Sequence, residues 1–336
     1  MKVKRLTACI LAGAMALSVA LTGCGKIDAN AVGATLNGED ISLGFMNFMA
    51  RYQQVLGDAT YIAYFGTGVW SMEVEEGKTL EASTKESVVE SIETMYLLED
   101  HMEDYGVTIT DEELSAIETA AKKFMSDNSK KAIKQLGATE EYVKEMLRLH
   151  TIQQKMQDAI FAASKVEVTD EEAAQRTYSF FRVSATKATD GTTDLTDEEK
   201  EKLASDMKDV AAAAKEDFEK AAKDKEYTVS KNSYGSDTTV DKNVIEAADA
   251  LKEGEVSDLI LDSNEAYYYV LRMDSEHDEE ATAKKKESLL KTKKQEEFTS
   301  ICDGYKEEAE FKLNEDEWAK VKFNRLFGIA SEEENK

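Results

Sequence analysis

Three copies of the tetrapeptide Thr-Asp-Glu-Glu mark the starts of helices in this chain. They occupy residues 110–113, 169–172 and 196–199, and Asn314-Glu-Asp-Glu317 is a close relative. In such a capping box the first side chain accepts a hydrogen bond from the backbone N–H of the fourth residue. The fourth carboxylate in turn accepts one from the N–H of the first. We therefore interpret these acidic clusters as helix starts, and not as metal or catalytic sites.

The first half of the chain carries apolar residues at helical spacing. Val88, Ile92 and Met95 lie on one face of a predicted helix that Gly106 ends, and a later helix begins at a cap on Thr139. Such helices bury one face each, so they predict a helical domain with a shared core.

A hairpin and an unusual helix precede these elements. Asn37-Gly38 supplies the positive φ angles of a tight turn, so residues 34–41 are predicted to form a hairpin. Ser42 then caps a Met- and aromatic-rich helix over residues 43–55. Most of its apolar side chains are expected in the core, although Met and aromatic groups also suit varied apolar partners. The aromatic-rich segment over residues 60–72 gives no clear assignment.

Residues 175–275 show a different pattern. Strands are predicted over residues 178–184 and 266–272, where aromatic and β-branched residues are bounded by polar ones. An Ala-rich helix over residues 203–223 and a short helix over residues 244–251 lie between them. This stretch has the size and pattern of one small α+β domain.

Two more helices are predicted after this region. One covers residues 279–310 with only a thin apolar stripe, and the last contains Trp318, Val321 and Phe327. Neither would be stable alone, so both should pack on the N-terminal helices. The predicted fold is α+β and mostly helical, a discontinuous helical domain with an inserted α+β domain. The predicted boundaries are 34–174 for the first helical segment, 175–275 for the insert, 276–330 for the C-terminal helices and 331–336 for a tail.

The first residues have the composition of an export signal. Lys2, Lys4 and Arg5 precede an apolar run over residues 6–20. That run has signal-peptide length and is too short to span a bilayer comfortably as a permanent helix. We therefore expect the mature chain to work outside the cytoplasm.

The residues that follow resemble a bacterial lipobox. Leu21-Thr22-Gly23-Cys24 has an aliphatic residue and two small ones before a cysteine. The resemblance implies a signal peptide over residues 1–23, a lipid on Cys24 and a tether over residues 24–33. The body would then be anchored at the outer face of the cell membrane. The alternative is an ordinary signal peptide cut near Ala20.

Cysteine usage predicts no internal disulfide. Cys9 leaves with the signal and Cys24 carries the lipid, so Cys302 remains alone. Its neighbours include Phe298 and Ile301, so we interpret it as a small buried apolar residue and not as a reactive thiol.

Charge and histidine spacing exclude several partners. The formal net charge is −26, and nucleic-acid binding begins with phosphate neutralisation by Lys and Arg, so nucleic acid is excluded as a partner. His101, His150 and His277 are the only histidines and lie in three separate segments without metal-ligand spacing. We predict no metal and no cofactor.

Several motifs resemble the SurA/PrsA chaperone-foldases. The helical part resembles their N-terminal domain in three stretches, and the insert resembles a parvulin-type peptidyl-prolyl isomerase domain in three more. The six stretches are Leu36-Asn37-Gly38-Glu39, Tyr105-Gly106-Val107-Thr108-Ile109-Thr110, Leu136-Gly137-Ala138-Thr139-Glu140-Glu141-Tyr142, Asp217-Phe218 with Ala221-Ala222-Lys223, Leu251 to Asp258, and Ala266 to Arg272.

This resemblance implies a membrane-anchored foldase that binds unfolded exported polypeptides, in some members with prolyl isomerisation. Parvulins use a histidine in the first strand and another in the last. Here the first position falls at Ser179 or Phe180 and the last at Tyr268. The proline-pocket positions correspond to Val240 and Val244. The resemblance therefore implies a candidate peptide groove with a catalytically weak or inactive domain, and it assigns no catalytic residue. The groove residues are Phe180, Val240, Val244 and Tyr268.

Two alternatives remain open at this point. One is an active prolyl isomerase with an atypical site, in which the Tyr268 hydroxyl replaces one hydrogen bond. The other is a substrate-binding lipoprotein of a transport system, although the sequence lacks the repeated strand–helix alternation of a two-lobed α/β receptor. The resemblance leaves the oligomeric state open, with a homodimer as one alternative.

Overall fold

The chain forms two compact units in the computed structural model, which describes residues 27–188 and 191–327. Of the described residues, the helical unit comprises residues 27–164 and 296–327, and the sheet unit comprises residues 165–188 and 191–295. The chain therefore leaves the helical unit once and returns to it. This confirms the predicted α+β, mostly helical fold with a discontinuous helical domain and an insert.

The first segment of the helical unit begins with a hairpin and continues into helices. Asn37 and Gly38 adopt φ angles of 51° and 86°, which confirms the predicted turn. The elements are β1 (Val32–Leu36), β2 (Glu39–Ser42), α1 (Leu43–Phe65), β3 (Glu73–Glu75), β4 (Lys78–Thr79), α2 (Leu80–Asp100), α3 (Asp111–Asp127), α4 (Lys130–Leu136) and α5 (Glu140–Ala163).

The sheet unit holds a four-stranded sheet with helices around it. Its elements are α6 (Asp170–Ala173), β5 (Arg176–Ser184), α7 (Asp197–Glu216), α8 (Phe218–Asp224), β6 (Ser230–Tyr234), α9 (Lys242–Ala250), β7 (Ile260–Leu261), β8 (Tyr267–Ser275) and the first part of α10 (Glu279–Glu308). The predicted Ala-rich helix is divided into α7 and α8, because the Asp217 side chain caps a new helix by accepting a hydrogen bond from Lys220 N at 3.0 Å.

The predicted capping boxes are confirmed. Thr110 Oγ1 accepts from Glu113 N at 3.2 Å, and Glu113 Oε2 accepts from Thr110 N at 2.8 Å. The same reciprocal pairs form at Thr169 and Thr196. Acidic side chains in the first turn also complement the positive end of the helix dipole.

The Met- and aromatic-rich helix α1 is mainly core. Phe45, Met46 and Phe48 are buried, and the Phe48 ring lies 6.5 Å from that of Tyr142. Its last turn is different, because Tyr64 is 82% exposed. Within the described residues, no helix combines the length and apolar composition needed to cross a bilayer.

The chain returns to the helical unit through the second part of α10. β9 (Phe311–Leu313) then pairs antiparallel with β1, and α11 (Glu315–Trp318) follows. The predicted last helix through Phe327 is wrong, because residues 319–327 form no regular element. Val321 and Phe323 are buried while Lys322 between them is exposed, as in extended chain.

Side chains of the N-terminal helices donate hydrogen bonds to backbone carbonyls of this returning segment. Lys85 Nζ donates to Trp318 O at 3.1 Å and to Val321 O at 2.8 Å, and Gln54 Nε2 donates to Arg325 O at 2.7 Å. Such bonds satisfy carbonyls that would otherwise accept backbone hydrogen bonds in a helix.

The borders of the sheet unit lie outside the predicted insert of 175–275. They fall at residues 164 and 295 because α6 and the first part of α10 are joined to each other within this unit. Lys286 Nζ lies 2.5 Å from Asp170 Oδ1, and Lys293 Nζ lies 2.7 Å from Glu172 Oε1. The prediction that all of residues 276–330 pack on the N-terminal helices is corrected accordingly.

Candidate functional site

The register of the four-stranded sheet decides which side chains share a face. The strands lie in the order β6-β5-β8-β7, and all pairings are antiparallel. Phe180 lies opposite Leu271 and Phe181 opposite Val270. Because successive side chains alternate between faces, Phe180 and Phe181 point to opposite sides of the sheet.

One face, which we call the closed face, is sealed by α7 and α8. Phe181 and Val270 are fully buried there with Met207, and Tyr268 packs at its margin. Ser179 also belongs to this face by alternation. Its side chain donates to Asp274 Oδ2 at 2.6 Å and is buried, so it is not available to a peptide.

The other face, which we call the open face, is covered only in part by α9. Leu271 and Val244 are buried in its core, whereas Phe180, Val240 and Tyr269 are partly buried at the margin. The rings of Phe180 and Tyr269 lie 5.8 Å apart. This margin gives the sheet unit an accessible apolar surface.

The structure brings together three of the four predicted groove residues. Phe180, Val240 and Val244 pack in one cluster, but Val244 is only 1% exposed and serves as core beneath the other two. Tyr268 lies on the closed face, so its assignment to the groove is corrected. Tyr269 stands beside Phe180 instead, because a shift of one residue along a strand moves a side chain to the other face.

An arginine that the sequence interpretation missed lies on the open face. Arg182 Nη1 donates to the Tyr269 hydroxyl at 3.1 Å, and the guanidinium lies 4.5 Å above the Tyr267 ring. The hydrogen bond with Tyr269 raises the pKa of Arg182, so the guanidinium stays charged across the physiological range. Only the period of two in β5, starting from Phe180, could have indicated it.

A pocket of about 460 Å³ opens beside these residues. Phe180 and Arg182 form one wall, and Glu226, Tyr227, Thr228 and Ser230 complete the lining. The pocket thus lies between the second half of β5 and the residues just before β6.

The open face offers hydrogen-bond donors but no imidazole. His101 and His150 belong to the helical unit, and His277 is exposed in the loop after β8. Isomerisation of a prolyl bond must lower a barrier of about 18–20 kcal/mol by stabilising a twisted amide. Phe180 contributes no hydrogen bond to such a network. Within residues 27–188 and 191–327, no cluster of acidic, His and Cys side chains could hold a metal ion.

The predicted lipid site, Cys24, lies outside the described residues. Cys302 is free and buried, as predicted, and burial raises the pKa of its thiol to about 11. At neutral pH it is therefore a protonated core residue.

Comparison with known proteins gives one family match. Residues 192–282 match the family model described as PPIC-type PPIASE domain. The match includes α7 through β8 but begins after β5, the strand that carries Phe180 and Arg182.

Relatives extend the likeness over most of the chain. The foldase protein PrsA of Clostridium botulinum (strain Loch Maree / Type A3) is 26% identical over 311 residues, which covers 84% of this chain and 88% of that protein. A crystal structure of the foldase PrsA from Lactococcus lactis is 18% identical, covers 87% of this chain and 97% of its own, and gives a TM-score of 0.35. A SurA-like chaperone of Campylobacter jejuni is 11% identical over 84% of this chain and 99% of its own, with a TM-score of 0.29.

The family match and the curated relative confirm the resemblance that the sequence motifs predicted.

Proposed function

Because the chain is a homologue of the PrsA foldases and carries a PPIC-type domain, we propose that it binds unfolded exported polypeptides outside the cytoplasm. A foldase role follows from the family itself. The finer proposal is that the open face of the sheet unit holds extended client segments and that prolyl isomerisation there is weak or absent.

The open face supports client binding through its side-chain chemistry. Phe180, Val240 and Tyr269 present an apolar surface, and Arg182 adds a fixed positive charge at its edge. Small apolar clefts with a few oriented polar groups are typical of peptide sites. Shallow and partly exposed, this surface suits clients that share no sequence.

The single observation that supports weak catalysis is the packing of Phe180 against Tyr269. These two side chains meet on the open face, and Phe180 occupies one of the positions where the resemblance leads one to expect a histidine. The other expected position, Tyr268, packs on the closed face. A phenyl ring can bind a proline but cannot donate a hydrogen bond to a twisted amide. We therefore expect retention of peptide binding and loss of most rate acceleration.

An active isomerase with an atypical site is the second candidate. The hydrogen bond from Arg182 to the Tyr269 hydroxyl favours it, because this pair places two donors at the edge of the face. If it is correct, prolyl exchange in a test peptide is accelerated and the acceleration is lost in Tyr269→Phe.

The transport-receptor alternative is disfavoured by strand direction. Every strand pairing among the described residues is antiparallel. Two-lobed α/β receptors are built on parallel sheets between helices. The homodimer stays a prediction, which sedimentation of the mature chain would test.

Membrane anchoring rests on the first residues alone. The basic start, the apolar run over residues 6–20 and the sequence Leu21-Thr22-Gly23-Cys24 support export and a lipid on Cys24. Metabolic labelling with a radioactive fatty acid is expected to mark the wild-type chain and not Cys24→Ser. Label that persists in Cys24→Ser would contradict the anchor.

A client-aggregation assay tests the chaperone role. A denatured model protein is diluted into buffer with the mature chain, and light scattering follows aggregation. We expect wild type to suppress scattering and Phe180→Ser to require a higher concentration for the same effect. Tyr64→Ser is the matched control, because Tyr64 is a highly exposed aromatic residue of the helical unit.

Equal loss in the two variants would contradict the assignment of client binding to the open face. Absence of suppression by wild type would contradict the chaperone role itself. Circular dichroism of each variant distinguishes lost binding from lost folding.

A further inference from the structure

Large exposed apolar side chains are concentrated in one short stretch of the helical unit. Within residues 27–188 and 191–327, seven large hydrophobic residues are exposed, and six of them fall between positions 56 and 74. A folded surface normally scatters such residues singly, whereas a cluster of them marks an interaction site. We call this cluster the aromatic tip, and its members are Leu56, Tyr61, Tyr64, Phe65, Met72 and Val74.

The last two turns of α1 form the larger part of the tip. The buried residues of this helix end at Asp58, and most of residues 59–65 are exposed. Tyr61 lies about one turn before Tyr64 and Phe65, so the three side chains are neighbours on the helix surface. The rings of Tyr64 and Phe65 lie 6.4 Å apart. The end of α1 therefore presents an aromatic ridge that the rest of the unit leaves exposed.

The chain that follows α1 folds back beside this ridge. Trp70 is buried, and its ring lies 6.1 Å from that of Tyr61. Met72 follows two residues later and its carbonyl oxygen accepts from Leu80 N at 2.8 Å, which starts the hairpin of β3 and β4. Met72 and Val74 are 44% and 49% exposed. They extend the apolar surface of the ridge onto the hairpin.

The surroundings of the tip are acidic. Residues 52–77 contain no Lys, Arg or His. The next basic residue, Lys78, pairs closely with Glu86 and more loosely with Glu75, so the border of the tip stays negative. Three exposed carboxylates lie on the hairpin beside the apolar side chains: Glu73, Glu75 and Glu76.

This acidic border discriminates among the surfaces that could cover the tip. An anionic bilayer would bring negative charge against the three glutamates. A second copy of this chain has a formal net charge of −26, and in a two-fold interface the same glutamates would face each other. The end of the chain carries three more glutamates, at positions 332–334. Electrostatic complementarity favours a partner that combines apolar and basic groups.

We propose that the aromatic tip docks an amphipathic helix of a partner protein, one whose apolar face is flanked by lysine or arginine side chains. The partner helix lays its apolar side chains against the ridge of Tyr61, Tyr64 and Phe65, as helices do when they pack side by side. Its basic side chains reach Glu73 and Glu76. Neither the lipid anchor nor client binding on the open face enters this inference.

A synthetic helix is the probe for this surface. A labelled peptide that repeats Leu-Lys-Ala-Leu-Leu-Lys-Lys places its leucines on one helix face with lysines at the margins. Fluorescence polarisation measures its binding to the full mature chain at physiological salt. The control peptide has glutamate in place of every lysine and is expected to bind at least about tenfold more weakly. Equal binding of the two peptides, or no binding of the lysine peptide, would overturn the proposal.

Substitutions at the ridge locate the binding. Tyr64→Ser combined with Phe65→Ser is expected to weaken binding of the lysine peptide about tenfold, because aromatic anchors carry much of the affinity of such interfaces. Leu114→Ser is the matched control, since Leu114 in α3 is the seventh exposed residue and lies outside the tip. It is expected to change binding less than about twofold. Equal effects at the two places would show non-specific adhesion and would contradict docking at the tip.

A charge reversal tests the acidic border. Glu73→Lys combined with Glu76→Lys is expected to weaken binding of the lysine peptide and to strengthen binding of the glutamate peptide. Glu307→Lys combined with Glu308→Lys is the matched control, because it makes the same change in net charge at the exposed end of α10. Distant exposed charges are screened, so the control should leave both affinities within about twofold. Identical behaviour of the two variants would contradict contact with the border.

Three further measurements would reveal a different occupant. A wild-type dimer that Tyr64→Ser dissociates in sedimentation would assign the tip to a second copy. Flotation of Cys24→Ser with vesicles of phosphatidylcholine and phosphatidylglycerol, abolished by adding Tyr64→Ser, would assign it to the bilayer. Peptide binding that appears only after removal of residues 328–336 would assign it to the end of the chain. Each result would overturn the proposal, which predicts sedimentation unaffected by Tyr64→Ser, no flotation and peptide binding by the full mature chain.

The aggregation assay separates this inference from the proposed function. Tyr64→Ser is expected to weaken binding of the lysine peptide and to leave the suppression of client aggregation unchanged. Loss of both in this variant would show that the tip is a client site and would overturn a separate partner. If wild type binds the lysine peptide but suppresses no aggregation, the chaperone role fails and the docking surface stands.

Discussion

Two regions of the molecule, the returning segment of the helical unit and the open face of the sheet unit, differ in what covers them. In the helical unit, residues 319–327 of the chain itself form no regular element and are bound by buried side chains. In the sheet unit, Phe180, Val240 and Tyr269 on the open face are only partly buried. The comparison shows that one chain uses polar groups to hold its own backbone in one unit and leaves an apolar surface partly uncovered in the other.

Buried polar side chains hold residues 319–327 in the helical unit. Asp58 is 4% exposed, and its carboxylate accepts from Trp70 Nε1 at 2.6 Å and from Phe327 N at 2.7 Å. Lys85 and Gln54 bind carbonyls of the same returning segment. Such fully satisfied groups make the segment part of the fold, because separating it would leave buried donors and acceptors unpaired.

The largest effect is expected when Asp58 is removed. Asp58→Ala leaves two buried N–H groups without an acceptor, so the free energy of unfolding should fall by about 3 kcal/mol. Urea unfolding followed by tryptophan fluorescence measures it, since Trp70 and Trp318 both belong to the helical unit. Asp127→Ala is the control, because this carboxylate lies at the surface and pairs with Lys123. Similar losses of stability in the two variants would contradict the role of Asp58 in holding the returning segment.

A somewhat smaller effect is expected for Lys85→Met. The variant keeps most of the apolar stem but removes the donor to Trp318 O and Val321 O, so unfolding should become easier by about 2 kcal/mol. The same fluorescence measurement applies, with Lys78→Met as the control on a more exposed lysine in β4, just before α2. No loss in Lys85→Met would show that solvent satisfies these carbonyls instead.

The raised pKa of Asp58 makes the stability of the helical unit depend on pH. Burial raises its pKa above the ordinary value of 3.8, although the bonds from Phe327 and Trp70 oppose this. A raised folded pKa contributes stability that is fully present below pH 3.8 and is lost as pH rises through the folded value. The stability of wild type relative to Asp58→Asn should therefore fall between pH 3.8 and neutrality. A rise over that range would refute the assignment.

The smallest effect is expected on the open face. Tyr269→Phe removes only the partly exposed hydrogen bond with Arg182, so stability should change by about 0.5 kcal/mol or less. Thermal unfolding followed by circular dichroism measures it. A loss as large as that of Asp58→Ala would show that the open face is part of the core, and the contrast between the two regions would disappear.

Local chemistry made much of the fold predictable. Ser42, Thr110 and Thr139 cap helices because their hydroxyls accept backbone bonds wherever a helix begins nearby. The turn at Asn37-Gly38 needs only positive φ angles, which these residues adopt readily. Such signals depend on a few adjacent residues, so one sequence suffices to find them.

The candidate site was harder to predict because it depends on distant pairing. Because residues 267–269 are three consecutive tyrosines, the sequence does not show which of them lie on which face of β8. Only the register with β5 assigns Tyr269 to the face of Phe180. Nothing in the sequence indicated Arg182 except the alternation of side chains along β5. The last predicted helix failed for a related reason, since Lys85 and Gln54 satisfy the carbonyls of a segment that they meet only in the folded chain.

Prolyl exchange in a bound peptide tests the central claim, that the open face holds extended chain without catalysing isomerisation. A blocked tetrapeptide with one Xaa–Pro bond is mixed with the mature chain, and exchange spectroscopy measures the cis–trans rate while line broadening reports binding. The account predicts broadened peptide signals with a rate equal to that of the free peptide. A rate accelerated by catalytic amounts of protein, and restored to the uncatalysed value by Phe180→Ala or Tyr269→Phe, would contradict it.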